Sequence, residues 1–192
     1  MATKRAATSS PNAASDVYVA LLRGINVGGK NRLAMTDLTA AFAEAGCADA
    51  RTYIQSGNVV FRAPPRAAQR VPSVVAELVA ERHGVTSPVI VRSAAELAEA
   101  VARNPFLRAG ADPTTLHVAF LADTPTPTQV AALDPARSPG DSFEVRGREV
   151  YLHFPNGVAA TKLTNAYLDS KLATVSTVRN WRTVLKLLEM TQ

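Results

Sequence analysis

A glycine-rich loop that ends in a lysine is the segment of this sequence best suited to binding a ligand. Residues 24–31 read G-I-N-V-G-G-K-N, which fits the phosphate-loop pattern G-x-x-x-x-G-K-[ST] except at its last position, Asn31. Glycines let successive backbone N–H groups point at one anion, and a lysine adds a mobile positive charge. Asn31 lacks the hydroxyl that binds magnesium in nucleotide triphosphatases, so the pattern favours anion binding over nucleotide hydrolysis. The alternative is a structural connection whose glycines adopt positive φ angles.

A second polar segment is expected to lie beside this loop. Residues 55–58 (Q-S-G-N) follow a predicted strand, 51–54, and the loop follows a predicted strand, 17–22. A helical crossover between these strands makes them parallel, so their carboxyl ends meet at one edge of the sheet. A donor-rich site without a carboxylate suits phosphate, another carboxylate or a nucleobase edge better than a metal. The residues expected to bind a ligand there are Arg23, Asn26, Gly28, Gly29, Lys30, Gln55 and Asn58.

A basic group near the C-terminus is a second candidate site, for nucleic acid. Arg179, Arg182 and Lys186 are spaced by three and four residues, which places them on one face of a predicted last helix. A basic helical face is also a common solvated surface, and that interpretation stays open. The aromatic signature of RNA-binding sheets is absent from the sequence, which weakens the nucleic-acid interpretation.

Composition limits the classes of function. The net charge is +5, but residues 16–160 contain equal numbers of basic and acidic residues, so the body of the protein has no bulk attraction for nucleic acid. The single cysteine, Cys47, excludes a disulfide framework and a four-cysteine zinc site, and fits a cytoplasmic protein. The three histidines lack the spacing of metal ligands, and no apolar stretch is long enough to span a membrane. We therefore expect no metal, cofactor or membrane partner.

The order of predicted elements indicates the fold of the first half, residues 16–92. A helix over residues 35–45 follows the first strand, and a helix over 71–83 follows a hairpin whose second strand is 59–62. A further strand is predicted over residues 85–91. This order is the split βαβ, or ferredoxin-like, arrangement, in which strands 17–22 and 51–54 run parallel with another strand between them. Residues 1–15 are predicted to form a disordered tail.

The second half, residues 93–192, repeats this order less clearly. It begins with a predicted helix over 93–102, which Ser93 and Glu96 start as a capping box. The elements predicted after it are a linker over 104–113, a strand over 116–121, a helix over 126–133, a hairpin of 142–145 with 149–154, and two C-terminal helices with apolar faces from Leu163 to Leu172 and from Val178 to Leu188. The last strand is expected to be replaced by a helix. The predicted fold class is α+β, with two tandem ferredoxin-like halves, antiparallel sheets carrying helices on one face, and a C-terminal helical pair.

Four segments of the chain resemble a known bacterial family. They are Y-V-A-L-L-R-G-I-N-V-G-G-K-N over residues 18–31, T-Y-I-Q-S-G-N-V-V-F over 52–61, V-R-G-R-E-V-Y-L-H over 145–153 and T-V-R-N-W-R-T-V-L-K-L over 177–187. Together they closely resemble the domain-of-unknown-function 1697 family. The resemblance implies a compact α+β protein of two related ferredoxin-like halves. It implies no reaction, substrate or cofactor, so no catalytic residue is carried over.

Three functions are compatible with these features. The first is binding of a small anionic or nucleotide-like ligand through the glycine-rich loop. The second is a nucleic-acid-binding module that uses the basic C-terminal helix. The third is an enzyme acting on a phosphorylated substrate, although the sequence offers no evident acid–base pair.

Overall fold

Two four-stranded antiparallel sheets form the framework of the computed structural model, which describes residues 15–192. The strands are β1 (Asp16–Leu22), β2 (Ala48–Tyr53), β3 (Asn58–Ala63), β4 (Val89–Ser93), β5 (Leu116–Leu121), β6 (Ser142–Arg146), β7 (Glu149–His153) and β8 (Ser176–Asn180). The helices are α1 (Met35–Glu44), α2 (Pro65–Ala68), α3 (Val71–His83), α4 (Ala94–Ala102), α5 (Pro105–Arg108), α6 (Pro127–Ala131), α7 (Asn165–Leu172) and α8 (Trp181–Met190). The predicted α+β class with antiparallel sheets is confirmed. The predicted tail lies, apart from Ser15, outside the described residues.

The two sheets have the same strand order. The first sheet is β2-β3-β1-β4 and the second is β6-β7-β5-β8, and every paired neighbour is antiparallel. Because β3 pairs with both β1 and β2, those two strands run parallel with β3 between them, as predicted. The carboxyl ends of β1 and β2 therefore meet at one edge of the first sheet.

The prediction for the last strand of the second sheet is wrong, because Ser176–Asn180 forms β8 and is not part of a helix. Val178 lies three residues before Trp181, and this helical spacing extended the predicted helix too far toward the N-terminus. In the structure β8 pairs with β5. The Asn180 side chain then accepts a hydrogen bond from the Thr183 N–H at 2.8 Å, which starts α8 at Trp181. The predicted C-terminal helical pair is thus two helices separated by a strand.

Proline and asparagine move two other predicted boundaries. β4 begins at Val89, since Pro88 has no N–H to donate to a strand ladder. The predicted linker over residues 104–113 contains α5, because the Asn104 Oδ1 accepts a hydrogen bond from the Phe106 N–H at 3.0 Å and caps that short helix.

Both sheets are buried on both faces, so apolar side chains form three layers. Helices α1 and α3 pack on the outer face of the first sheet, and α6 and α7 pack on the outer face of the second. The two inner faces share one core with α4 and α8, which includes Val19, Leu21, Ile90, Leu97, Val118, Phe120, Trp181 and Val184. This inner layer was missed by the prediction of helices on one face only. Burial on both faces explains why β1 and β5 are almost continuously apolar.

The sheets also repeat one another in register. Ser93 at the end of β4 lies opposite Tyr18 of β1, and Asn180 at the end of β8 lies opposite His117 of β5. Each of these end residues caps the helix that follows, and the capping box predicted at Ser93 is confirmed. The residues that precede the two caps are therefore equivalent in the two sheets: Arg92 and Arg179.

Candidate functional site

The glycine-rich loop, residues 24–31, is a tight and exposed turn between β1 and α1. The Lys30 N–H donates to the Val27 carbonyl at 3.0 Å. Between them, Gly28 and Gly29 have φ angles of 56° and 77°, the left-handed values of a type I′ turn. The N–H groups of these two glycines donate no hydrogen bond to any residue of the described part of the chain. They are therefore free to donate to a ligand.

Asn26 holds this loop in place. Its Nδ2 donates to the carbonyls of Leu33 at 2.9 Å and Gln55 at 3.0 Å, and its Oδ1 accepts from the Leu33 N–H at 2.9 Å. The bond to Gln55 joins the loop to the turn between β2 and β3, and Asn31 adds a bond from its Nδ2 to the Gly24 carbonyl at 2.9 Å. Asn26, predicted as a ligand group, thus positions the loop with its amide protons already donated to the protein.

A depression of about 450 Å³ lies between the loop and the β2–β3 turn; we call it the loop depression. Its lining residues are Asn26, Gly29, Arg32, Leu33, Ala34 and Gln55. Lys30 and Arg32 are exposed, and neither forms an ion pair within residues 15–192. No acidic residue occurs between Asp16 and Asp37 in the sequence. The depression itself is consequently lined by one unpaired cation, Arg32, and by Gly29, while Lys30 and Gly28 lie next to these residues on the loop and are not part of the lining.

Arg32 is a candidate binding residue that the sequence analysis did not include. It lies two residues after Lys30, beyond the last position of the phosphate-loop pattern. A pattern match stops at its own boundary, so the basic residue just outside it was not considered. The acid-free run around the loop was the signal that could have identified it.

Arg23 is directed away from the loop depression, toward the second sheet. Its guanidinium forms an ion pair with Asp169 of α7 and donates to the Ser176 carbonyl at 3.1 Å. Asp169 also accepts from the backbone N–H of Ser176 at 2.8 Å. Because this guanidinium is already paired, Arg23 connects the end of β1 to α7 and β8 of the second sheet.

Asn58 is fully buried and accepts a hydrogen bond from Arg179 of β8. The Asn58 Oδ1 lies 2.6 Å from the Arg179 Nε. The remaining guanidinium protons go to the Leu22 carbonyl at 2.6 Å, the Ser56 carbonyl at 3.2 Å, the Thr177 hydroxyl at 2.8 Å and the Val178 carbonyl at 2.9 Å. All five donors of Arg179 are thus bonded, and burial lowers its pKa to about 10. The prediction that Arg179 lies on the last helix is wrong, since it belongs to β8 and reaches into the first sheet.

Arg92 makes the reciprocal connection, from β4 to the second sheet. This side chain is 1% exposed. Its Nε donates to Glu149 at 2.9 Å, and its Nη2 donates to the carbonyls of Leu121 at 2.7 Å and Arg148 at 3.0 Å. The position of Glu149 relative to β5 in the second sheet is equivalent to the position of Asn58 relative to β1 in the first sheet. Sequence reasoning missed Arg92, although V-R-S over 91–93 and V-R-N over 178–180 have the same pattern, with an arginine directly before the residue that caps the next helix.

The other two predicted nucleic-acid contacts do lie on α8. Arg182 is exposed, and Lys186 is half-buried and pairs with Glu189 at 2.6 Å. They are four residues apart and share one face of the helix. Without Arg179 this group contains one unpaired cation, Arg182, within the described residues.

Neither a metal centre nor a membrane segment is found among residues 15–192. No group of three or more histidine, cysteine, aspartate or glutamate side chains in this range is arranged to hold a metal ion. None of its helices combines the length and apolar character needed to cross a membrane.

Comparison with known proteins gives a family match and a structural neighbour. The model of the family described as "Protein of unknown function (DUF1697)" matches residues 16–151. The structure is similar to that of the conserved bacterial protein SP0830 from Streptococcus pneumoniae, with a TM-score of 0.67 and 22% sequence identity, over 93% of this chain and 100% of that chain. No curated protein matches the sequence significantly. The structural likeness concerns the fold.

Proposed function

The chain belongs to the DUF1697 family of proteins of unknown function, and we propose that it binds a small anionic or nucleotide-like ligand in the loop depression. The observation that carries this proposal is the concentration of unpaired donors there. Arg32 and Gly29 line the depression and supply a positive charge and a neutral N–H donor, and their neighbours Lys30 and Gly28 on the loop would add a second of each. An anion would accept bonds from both kinds of donor, as phosphate does in loops of successive backbone amides. Gln55 would contribute a polar side chain from the opposite wall.

Two exposed apolar side chains on the bordering loops favour a nucleotide-like ligand over a simple anion. Val27 is 63% exposed and Ile54 is 53% exposed. Ile54 also has a φ of 49°, a left-handed conformation that is rare and unfavourable for a β-branched residue. Strained backbone is often retained at binding sites. We propose that Val27 and Ile54 contact the apolar face of a ring while the loop binds its anionic group.

Calorimetric titration of variants tests this proposal. Inorganic phosphate, AMP, ATP and acidic metabolites are titrated into the wild type and into Lys30→Ala and Arg32→Ala. Loss of one charge-assisted hydrogen bond should weaken binding by about tenfold or more. The control is Arg66→Ala, which removes an exposed arginine of α2 outside the loop depression and should bind as the wild type does.

The pattern of binding among the variants decides between a ligand site and a structural loop. Binding to the wild type that is weakened in Lys30→Ala and Arg32→Ala, but not in Arg66→Ala, supports the proposal. Absence of binding by every anion, or equal binding by all variants, contradicts it and leaves the loop as a structural connection. Thermal unfolding of each variant shows whether a loss of binding reflects a loss of fold.

Two alternatives predict other outcomes. A nucleic-acid module would bind single-stranded DNA or RNA regardless of base sequence, with an affinity that falls steeply with salt and depends on Arg182. An enzyme would turn over a phosphorylated substrate in the same panel. We favour binding alone, because no histidine or carboxylate lines the loop depression to move a proton.

The architecture supports a finer description of the whole protein as well. We propose two tandem ferredoxin-like halves, residues 16–92 and 93–192, derived from one duplicated unit. The repeated strand order, the matched registers and the reciprocal arginines Arg92 and Arg179 support this proposal. We also propose a cytoplasmic location, on the basis of the single cysteine in the sequence.

A further inference from the structure

A second cavity lies at the start of α8, away from the loop depression. It has a volume of about 540 Å³, within the range of small-molecule sites. We call it the His117 pocket. Its lining residues are Pro113, Thr114, Thr115, His117, Phe154, Pro155, Gly157, Val158, Asn180, Trp181 and Arg182. None of them lines the loop depression.

His117 contributes part of the wall of this pocket. Its Nδ1 has no hydrogen-bond partner in the described part of the chain, but this atom is buried, so a molecule in the pocket does not reach it. Burial lowers the pKa of His117, so the imidazole is neutral at pH 7. Its ring lies 5.1 Å from the ring of Phe154, and this contact fixes its orientation.

The rest of the pocket combines apolar walls with one charge. Phe154 and Trp181 are each 2% exposed and form part of the walls, whereas Val158 is 53% exposed. Arg182 is the only lining residue that is charged at pH 7, and it has no ion-pair partner among residues 15–192. The pocket is thus suited to a molecule with an apolar body and a single negative charge.

The equivalent groove beside the first sheet shows that this chemistry is not a general result of the fold. In the groove beside the first sheet, Tyr18 and Ser93 occupy the positions that are equivalent to those of His117 and Asn180 in the His117 pocket. In that groove Arg148 is paired with Glu96, so its charge is neutralised. Of the two, the pocket beside the second sheet is the one whose exposed guanidinium has no ion-pair partner among residues 15–192.

We infer that the His117 pocket binds a small organic monocarboxylate with an apolar or aromatic body. The Arg182 guanidinium would bind the carboxylate through two parallel hydrogen bonds, a geometry that arginine offers and lysine does not. The walls around Phe154 and Val158 would bury the apolar body. A phosphate, with more charge than one guanidinium balances, is a poorer match. The inference does not depend on the function proposed for the loop depression.

The only tryptophan of the chain, Trp181, lines this pocket and provides a direct probe. Its fluorescence is followed during titration with a series of monocarboxylates of increasing size: acetate, hexanoate, phenylacetate, phenylpropionate and indole-3-acetate. Each acid is matched by its neutral amide. We expect a saturable change for the larger acids, about tenfold or more weaker for the amides, because the amide loses the charge-assisted bond.

One variant and a control assign any binding to the proposed residue. Arg182→Gln should weaken the acids by about tenfold and leave the amides unchanged. Arg66→Gln, an exposed arginine outside the pocket, should bind as the wild type does. Absence of saturable binding by all acids, equal binding of acids and amides, or undiminished binding in Arg182→Gln overturns the inference.

Discussion

At the scale of residues, two arginines connect the sheets, the buried Arg92 and the half-buried Arg179, and the sequence analysis predicted neither connection. The Arg179 guanidinium donates hydrogen bonds to Asn58 and to backbone carbonyls of the first sheet. The Arg92 guanidinium donates to Glu149 and to backbone carbonyls of the second sheet. Sequence spacing placed Arg179 on a basic helical face, because spacing alone does not show where a strand ends and a helix begins. The loop residues Gly28, Gly29 and Lys30 were identifiable from their motif, which is local. The partners of Arg23 and Asn58 were not, since they lie more than a hundred residues away in the chain.

Removal of Arg179 should destabilise the fold strongly. Arg179→Ala removes the arginine donor from the Asn58 amide oxygen and from the carbonyls of Leu22 and Ser56, and we expect the free energy of unfolding to fall by about 3 kcal/mol. Arg179→Lys should recover only part of this loss, because an ammonium cannot reproduce the planar fork of donors. The measurement is urea denaturation. Arg182→Ala, an exposed control, should change the free energy of unfolding by less than about 0.5 kcal/mol. Equal effects of Arg179→Ala and Arg182→Ala would show that the inter-sheet bonds contribute little.

The buried thiol of Cys47 predicts a dependence of stability on alkaline pH. Burial raises the pKa of Cys47 from its ordinary value of 9.0 to about 11. The folded chain therefore holds this proton more tightly than the unfolded chain does. The resulting stabilisation is fully present below pH 9 and is lost as the pH rises toward 11.

Urea denaturation over this pH range, on the wild type and Cys47→Ala, tests the point. The decline in the free energy of unfolding should be smaller in the variant. Tyr151, whose pKa burial raises to about 12, is present in both proteins, so its contribution cancels in the comparison. The same decline in both proteins would rule out the thiol as a cause.

At the scale of elements, patterns with a local cause were predictable and patterns with a tertiary cause were not. The central strand β5 and the capping box of α4 were predicted correctly, because apolar runs and capping residues act within a few positions. Strand β8 was not predicted. The apolar residues before Trp181 continue the helical spacing of the last helix, but they pair with β5 and therefore form a strand. Tertiary pairing overrode local periodicity there.

The β2–β3 turn offers a sharp test at this scale, with a matched control in the β6–β7 turn. Gly57 has a φ of 74°, and a Cβ added to it would lie 2.7 Å from the Leu22 Cβ. Gly147 has a φ of 61° and open space around the same position. Gly147→Ala should cost about 1–2 kcal/mol of stability for the left-handed backbone alone, and Gly57→Ala should cost clearly more. Equal thermal unfolding temperatures for the two variants would contradict the close packing of this turn against β1.

At the scale of the whole molecule, the shared inner core should make the two sheets unfold together. Helices α4 and α8 pack between the sheets, and the arginine connections cross between them in both directions. We expect one cooperative transition, in which Trp181 fluorescence and far-ultraviolet circular dichroism change at the same urea concentration. Trp181 reports on the inner core, whereas circular dichroism reports on all elements. Two separated transitions would show that the sheets are independent folding units.

The central claim is that the glycine-rich loop binds an anion, and amide NMR spectra of the protein during titration with phosphate and AMP test it most directly. The account predicts saturable shifts for the N–H signals of Gly28, Gly29 and Lys30, with that of Gly147, in a distant turn, unchanged. These shifts should weaken in Arg32→Ala and persist in Arg66→Ala. Unmoved glycine signals at saturating ligand, or shifts confined to α8 around Arg182, would contradict the account.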